Sequence, residues 1–136
     1  NLNKNNTMDF IKYYNENYDP YKGIYTEYYD NGNVKIEMKL YNGVKNGNTT
    51  LYYKDGTIME VRSYKDDKMH GIWTTYNNNG EIQAIASYRN GEKDGKWEVW
   101  DIDGVKRYEM YYTEGQRSGT WKVWDENANL SMKKTY

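Results

Sequence analysis

Cysteine is absent from this chain, which excludes disulfides and thiol chemistry and removes any redox clue to its compartment. No apolar run approaches the roughly 18 residues of a membrane-spanning helix, and no signal peptide is visible. Leu, Ile, Val and Phe are so sparse that the aliphatic content alone would point toward disorder. Neither sign of charge is in excess: 19 Lys and Arg stand against 20 Asp and Glu, for a net charge of −1. Phosphate binding needs a clustered positive surface, so nucleic acid is not expected as a partner. Histidine occurs once, at position 70.

What is present is aromatic. Seventeen Tyr and 5 Trp supply the missing apolar surface, since each ring can bury on the order of 150–250 Å². The 136 residues suffice for one domain. Its organisation is legible in the glycines. Gly23, Gly47, Gly71, Gly95 and Gly119 are spaced 24 apart; Gly32, Gly56, Gly80 and Gly104 repeat the step; Gly43, Gly91 and Gly115 share a third phase. These are all 12 glycines of the protein. The near-identity of "GKWEVWDIDG" (95–104) and "GTWKVWDENA" (119–128) is thus the end of an array, with units at 23–46, 47–70, 71–94, 95–118 and 119–136.

Each unit reads as two strands. The first runs from the leading glycine to an Asn-Gly or Asp-Gly pair, as in "GIYTEYYDNG" (23–32), and that pair suits a two-residue type I′ hairpin turn. The second strand follows, as in "VKIEMKL" (34–40), and a longer turn such as "NGVKNG" (42–47) leads to the next unit. Helical periodicity appears only in residues 1–22, where Asn6 would cap a short helix with Phe10, Ile11, Tyr14 and Tyr18 on one face, ending before Pro20. This segment is expected to cap the array, whose terminal unit would otherwise leave an apolar face and a sheet edge open. The fold class is therefore all-β: an elongated array of antiparallel hairpins with a short N-terminal cap.

The order glycine, aromatic pair, Asn/Asp-Gly, apolar strand, Tyr, Asn-Gly resembles the MORN repeat, specifically the bacterial MORN variant of antitoxin-like proteins. The resemblance covers 23–136. Thr49, Asp67 and Ala128 depart from it at the first aromatic, the third-phase glycine and the turn glycine. It implies a single-layer twisted sheet and a non-enzymatic binding role.

A two-residue turn at Asn31-Gly32 would set Tyr29 opposite Val34, Glu27 opposite Ile36, Tyr25 opposite Met38 and Gly23 opposite Leu40. Along the array one face would then carry Tyr25, Trp73, Trp97 and Trp121 beside Leu40, Tyr64, Tyr88, Tyr112 and Tyr136, with each ring of the second row lying over a cross-strand glycine. That is the expected core face. The opposite face is polar except for one row, Tyr28, Tyr52, Tyr76, Trp100 and Trp124. Two readings stand for that row: rings that stiffen the sheet by stacking on one another, or a recognition surface, since Tyr and Trp dominate binding hot spots.

Candidate chemistry is thin. His70 shares its phase with Asn46, Asp94 and Ser118, so the position asks for a turn residue. The Asp-x-Asp-Gly at 101–104 lacks the glycine position and the closing Glu of a calcium loop, and the glycines join strand to strand, unlike those of a phosphate loop. No catalytic residue, metal site or cofactor is expected. The expected function is protein binding, with antitoxin- or immunity-like neutralisation of a toxin implied by the resemblance; the partner could equally be a cell-surface protein. Membrane lipid and glycan binding at the envelope are the alternatives, though balanced charge weakens the first. The polar start "NLNKNN" suits a bacterial chain exported to the periplasm or cell surface, with the cytoplasm as the other option.

Overall fold

In the computed structural model, which describes the backbone of residues 3–7 and 10–136 and the side chains from Lys12 onward, every helix or strand among the described residues is a strand. Strands β1 (Asn3–Thr7) and β2 (Phe10–Tyr14) form a separate two-stranded sheet. The main sheet has 12 strands: β3 (Gly23–Tyr28), β4 (Val34–Tyr41), β5 (Val44–Tyr52), β6 (Ile58–Lys65), β7 (Lys68–Met69), β8 (Gly71–Tyr76), β9 (Ile82–Arg89), β10 (Glu92–Lys93), β11 (Gly95–Trp100), β12 (Lys106–Thr113), β13 (Gln116–Trp124) and β14 (Leu130–Thr135). Each strand pairs antiparallel with its neighbour in sequence, apart from the short β7 and β10, which fold back on β6 and β9 while β8 and β11 continue the path. The result is one open sheet of consecutive hairpins.

The two turns of each unit have exchanged the geometries expected of them. At the first, the Tyr29 amide donates to Asn33 O (2.8 Å) and the Gly32 amide to Tyr29 O (3.0 Å), and the same pair of bonds recurs in all five units. Gly32 is left-handed (φ 87°) but Asn31 is not, so this is a three-residue loop with a bulge behind it. The cause is side-chain competition. Asn31 Oδ1 accepts the Asn33 amide, and Asp101 Oδ1 accepts those of Asp103 and Val105, bonds that hold the loop in its three-residue form. The bulge shifts the pairing by one: Tyr28, not Tyr29, faces Val34, while Glu27, Tyr25 and Gly23 face Ile36, Met38 and Leu40 as expected.

The type I′ geometry lies at the second turn. Asn42-Gly43 (φ 50°, 78°), Asp66-Asp67 (47°, 69°), Asn90-Gly91 (48°, 87°) and Glu114-Gly115 (49°, 81°) are two-residue loops closed by Tyr41–Val44, Lys65–Lys68, Arg89–Glu92 and Thr113–Gln116 pairs. The second residue of each loop then donates its amide to the preceding unit: Gly43 to Tyr21 O, Asp67 to Lys45 O, Gly91 to Met69 O and Gly115 to Lys93 O, at 2.7–2.9 Å. These turns therefore join unit to unit as well as strand to strand.

Ala128 sits where the other first turns have glycine and holds φ 63°. A left-handed residue with a Cβ costs roughly 1–2 kcal/mol, of which glycine's greater chain entropy returns a part. Ala128→Gly is accordingly expected to stabilise the last hairpin by about 0.5–1 kcal/mol, measured as slower amide exchange in β14.

The cap is a hairpin, not a helix. Residues 10–14 are extended and pair with 3–7, and the chain returns through an Asn15 turn, whose Oδ1 accepts the Asn17 and Asp19 amides, to a bridge between Tyr14 and Pro20. Tyr18, placed on the helix face by its spacing, is exposed in that turn with φ 61°. Tertiary burial outweighs the helical spacing. Tyr13 is buried against Met38 and Leu40 (6%, 3% and 4% exposed), with Tyr21, Tyr25 and Ile36 around them, and its amide donates to Gly43 O at 2.7 Å. The side chains of Phe10 and Ile11, assigned to the same face, lie outside the described residues.

Candidate functional site

The faces of the sheet differ in how their rings meet. On the expected core face, Trp73, Tyr88, Trp97, Tyr112, Trp121 and Tyr136 form a continuous ladder with centroids 5.0–5.4 Å apart and planes tilted by 42–62°. The tryptophans come from β8, β11 and β13; Tyr88 and Tyr112 come from β9 and β12, opposite Gly71 and Gly95. Neighbouring strands are about 4.8 Å apart, so rings on every strand can touch while rings on alternate strands stand about 10 Å apart. The indole N–H groups of Trp97 and Trp121 reach Ser87 O and Tyr111 O at 3.0 Å, locking the rings onto the previous hairpin.

At Thr49 the ladder is interrupted. The residue is 1% exposed between Met38 and Arg62, and its hydroxyl has no hydrogen-bond partner. Burying an unpaired hydroxyl costs about 1–3 kcal/mol. Thr49→Val should raise stability by about 1 kcal/mol, as read from the midpoint of urea unfolding.

Sequence reasoning missed the cations that ride on this ladder. Lys45 lies over Tyr64 (4.9 Å), Arg62 over Trp73 (4.7 Å), Lys93 over both Trp97 and Tyr112 (4.8 and 4.9 Å), Arg117 over Trp121 and Tyr136 (5.2 and 5.7 Å) and Lys134 over Tyr136 (5.0 Å). The signal was there: Lys45, Lys93 and Arg117 share one phase of the period, at the strand position just after the inter-unit turn.

Tyr28, Tyr52, Tyr76, Trp100 and Trp124 end β3, β5, β8, β11 and β13 on the other face. They do not stack. Among the described residues no two of these rings are in contact, because the intervening strand places Val34, Ile58, Ile82, Lys106 or Leu130 beside them instead of a ring. The row is therefore an alternation of aromatic and mostly aliphatic side chains. Its exposed members include Tyr28 (63%), Ile58 (40%), Ile82 (42%) and Leu130 (52%). The backbone beneath is pinned: Tyr29 and Tyr53 hydroxyls donate to Tyr52 O and Tyr76 O, and Arg107 Nε donates to Trp124 O, at 2.6–2.7 Å.

Near Trp124 the row meets charge. Lys106 Nζ lies 2.7 Å from Glu98, 2.6 Å from Glu109 and 5.6 Å from the centre of the Trp124 ring, and Lys96 approaches both carboxylates at 3.6–3.7 Å. Burial would depress the lysine, but its hydrogen bonds to Glu109 and Glu98 prevail and raise it, while the hydrogen bond from Lys106 lowers Glu109. Glu109 titrates below its usual 4.5 when folded, so the stability it contributes is complete above that pH and is lost as pH falls through the depressed value. Glu109→Gln is expected to flatten the acid limb of the stability profile between about pH 5 and 3.

His70 serves a turn. Its Nδ1 accepts the Asn90 amide (3.1 Å), as Asp94 Oδ1, at the same phase, accepts that of Glu114 (3.1 Å). Among the described residues no group of three His, Asp or Glu side chains is placed to hold a metal ion.

The period, the hairpin pairs and the family comparison converge. The model of the MORN repeat variant family matches residues 21–42, 45–66 and 69–90, three consecutive repeats in the 24-residue step of the glycines. The chain belongs to the MORN repeat variant family. Beyond those three repeats, β11 to β14 continue the MORN array with the same turn bonds and the same Gly-to-Tyr pairing. MORN repeats are in general non-catalytic scaffolds that bind proteins or membrane lipids. No curated protein matches the chain.

Proposed function

We propose that this MORN array is a non-enzymatic scaffold that binds a protein partner through the row of Tyr28, Tyr52, Tyr76, Trp100 and Trp124, in an antitoxin- or immunity-like role in which the partner is neutralised by being covered. The observation that carries the reading is the strip itself, in which Tyr28, Ile58, Ile82 and Leu130 are exposed and Tyr52, Tyr76, Trp100 and Trp124 are half-buried. Aromatic side chains alternate with aliphatic ones, and with Lys106 beside Trp100, over five hairpins on a backbone fixed by inter-unit hydrogen bonds, so little conformational entropy is lost when a partner docks. Lipid binding is the weaker reading, because Lys96 and Lys106, the cations beside Trp100 and Trp124, are already paired with Glu98 and Glu109.

The test is coexpression with the product of the adjacent gene. The wild type should retain that protein through purification, and Trp100→Ser/Trp124→Ser should lose it with an unchanged far-UV circular dichroism spectrum. Retention by the double variant, or cosedimentation with phosphatidylserine vesicles in place of protein capture, would contradict the reading.

A further inference from the structure

The ladder face contains a gap that the repeat does not require. Beside Trp73 and Thr75 of β8, strand β9 carries Ala84 and Ala86, and Val99 and Trp97 of β11 close the far side. The equivalent positions in other units hold Ile36, Glu60, Tyr108 and Met132, or Met38, Arg62, Met110 and Lys134. Two methyl groups in place of those side chains leave an apolar notch of about 220 Å³ over the alanines, walled by two tryptophans with Tyr88 at its end. A volume of that size admits one large side chain.

On the side of the notch toward β14 the charge is one-sided, whereas on the β6 side Glu60 faces Thr75. By the pairing register, the ladder face of β11 to β14 presents Trp97, Val99, Tyr108, Met110, Tyr112, Arg117, Trp121, Val123, Met132, Lys134 and Tyr136, with no carboxylate among them. Lys93 joins them through its pairing with Tyr88. Among the described residues Lys93, Arg117 and Lys134 have no carboxylate within ion-pair distance, unlike Arg62, which is held by Glu60 at 3.1 Å. Three exposed ammonium or guanidinium groups thus stand over rings with no carboxylate paired to them, in a line leading away from the apolar notch.

We infer that the ladder face binds an extended acidic polypeptide segment, one bulky apolar side chain filling the Ala84–Ala86 notch and carboxylates downstream of it meeting Lys93 and Arg117. The site uses none of the residues of the outer row. An apolar anchor in a desolvated pocket supplies the affinity, and the cations supply orientation and on-rate. A nucleic acid would satisfy the cations but has no side chain for the notch; a membrane surface is too flat to enter it.

The probe is a fluorescein-labelled random copolymer of glutamate and tyrosine, titrated with the whole chain and followed by anisotropy, with the emission of Trp73 and Trp97 as an internal reporter. Binding should weaken with added salt, and polyglutamate, which lacks the anchor, should bind at least about tenfold more weakly. Ala86→Met fills the notch with the residue the repeat itself uses at 38 and 110, and Lys93→Glu/Arg117→Glu reverses the charge. Each should cost about tenfold or more in affinity with the thermal midpoint checked in parallel. Trp100→Ser/Trp124→Ser should leave the copolymer affinity unchanged, so failure of this site and failure of the outer row are separable. Copolymer binding insensitive to Ala86→Met, or equal binding of polyglutamate, oligo(dT) or phosphatidylserine vesicles, would overturn the inference.

Discussion

Trp97→Ala is expected to destabilise the protein by about 3 kcal/mol and to divide its unfolding into two steps. The ring touches Tyr88 at 5.3 Å and Tyr112 at 5.4 Å, contacts of about 0.5–1.5 kcal/mol each beyond their area. Its indole N–H is the donor to Ser87 O, and Lys93 rides on its face. Truncating a buried tryptophan typically costs about 3–5 kcal/mol; exposure of one side of this ring places the effect at the lower end. The second consequence comes from the architecture. In a one-dimensional array each unit is held only by its neighbours, so weakening the contact between β9 and β11 uncouples the units before it from those after it. Amide exchange should then show β11 to β14 opening at lower urea than β3 to β6, where the wild type opens more nearly as one.

The second large effect is at the other end. Gly43→Ala should release the β1–β2 hairpin from the array. A Cβ at Gly43 would stand 2.6 Å from the Tyr13 carbonyl oxygen and 2.8 Å from Lys12 Cγ, and the residue holds φ +78°. The oxygen belongs to backbone fixed by the Tyr21 amide, so it cannot simply turn aside. Left-handed strain of about 1–2 kcal/mol adds to the clash, and a total loss of about 2–4 kcal/mol is expected. The readout is local: faster exchange at Tyr13 and Gly43 and greater exposure of Met38 and Leu40, with β11 to β14 unaffected. Gly91 occupies the same turn position in open space, so Gly91→Ala carries the backbone strain without the clash and should cost about 1 kcal/mol.

Much of this fold is legible in the sequence because one rule is written five times. Glycine phase sets the unit length and alternation sets the face, while the pairings Gly23–Leu40, Gly71–Tyr88 and Gly95–Tyr112 follow from the position of the turn, because the bulge restores the register that the extra loop residue displaces. The turns were not legible from their dipeptides. Asn31-Gly32 and Asn42-Gly43 look alike, but only a structure shows that the Asn31 side chain caps its own loop while Asn42 enters the left-handed region. The cap was misread for a related reason. Phe10, Ile11, Tyr14 and Tyr18 have helical spacing, yet burial of Tyr13 on Met38 and Leu40 depends on residues far along the chain, and no local pattern reports it.

The candidate site was half legible. The 24-residue spacing finds Tyr28, Tyr52, Tyr76, Trp100 and Trp124, and strand alternation sets them apart from the ladder. Of the two readings of that row, stacking fails on the strand between its rings: β9 and β12 bring Tyr88 and Tyr112 to one face, but β4, β6 and β9 bring Val34, Ile58 and Ile82 to the other. The alanines at 84 and 86 passed unnoticed since small residues attract attention only where larger ones are the rule.

The central claim is a division of labour between the faces, with the ladder holding the fold and the outer row left free for a partner. Trp97 and Trp100 lie three residues apart on β11 and point to opposite sides, so urea unfolding of Trp97→Ala beside Trp100→Ala tests it within one strand. A loss of about 3 kcal/mol for the first and less than about 1 kcal/mol for the second is expected. Equal losses, or a larger one at Trp100, would contradict it.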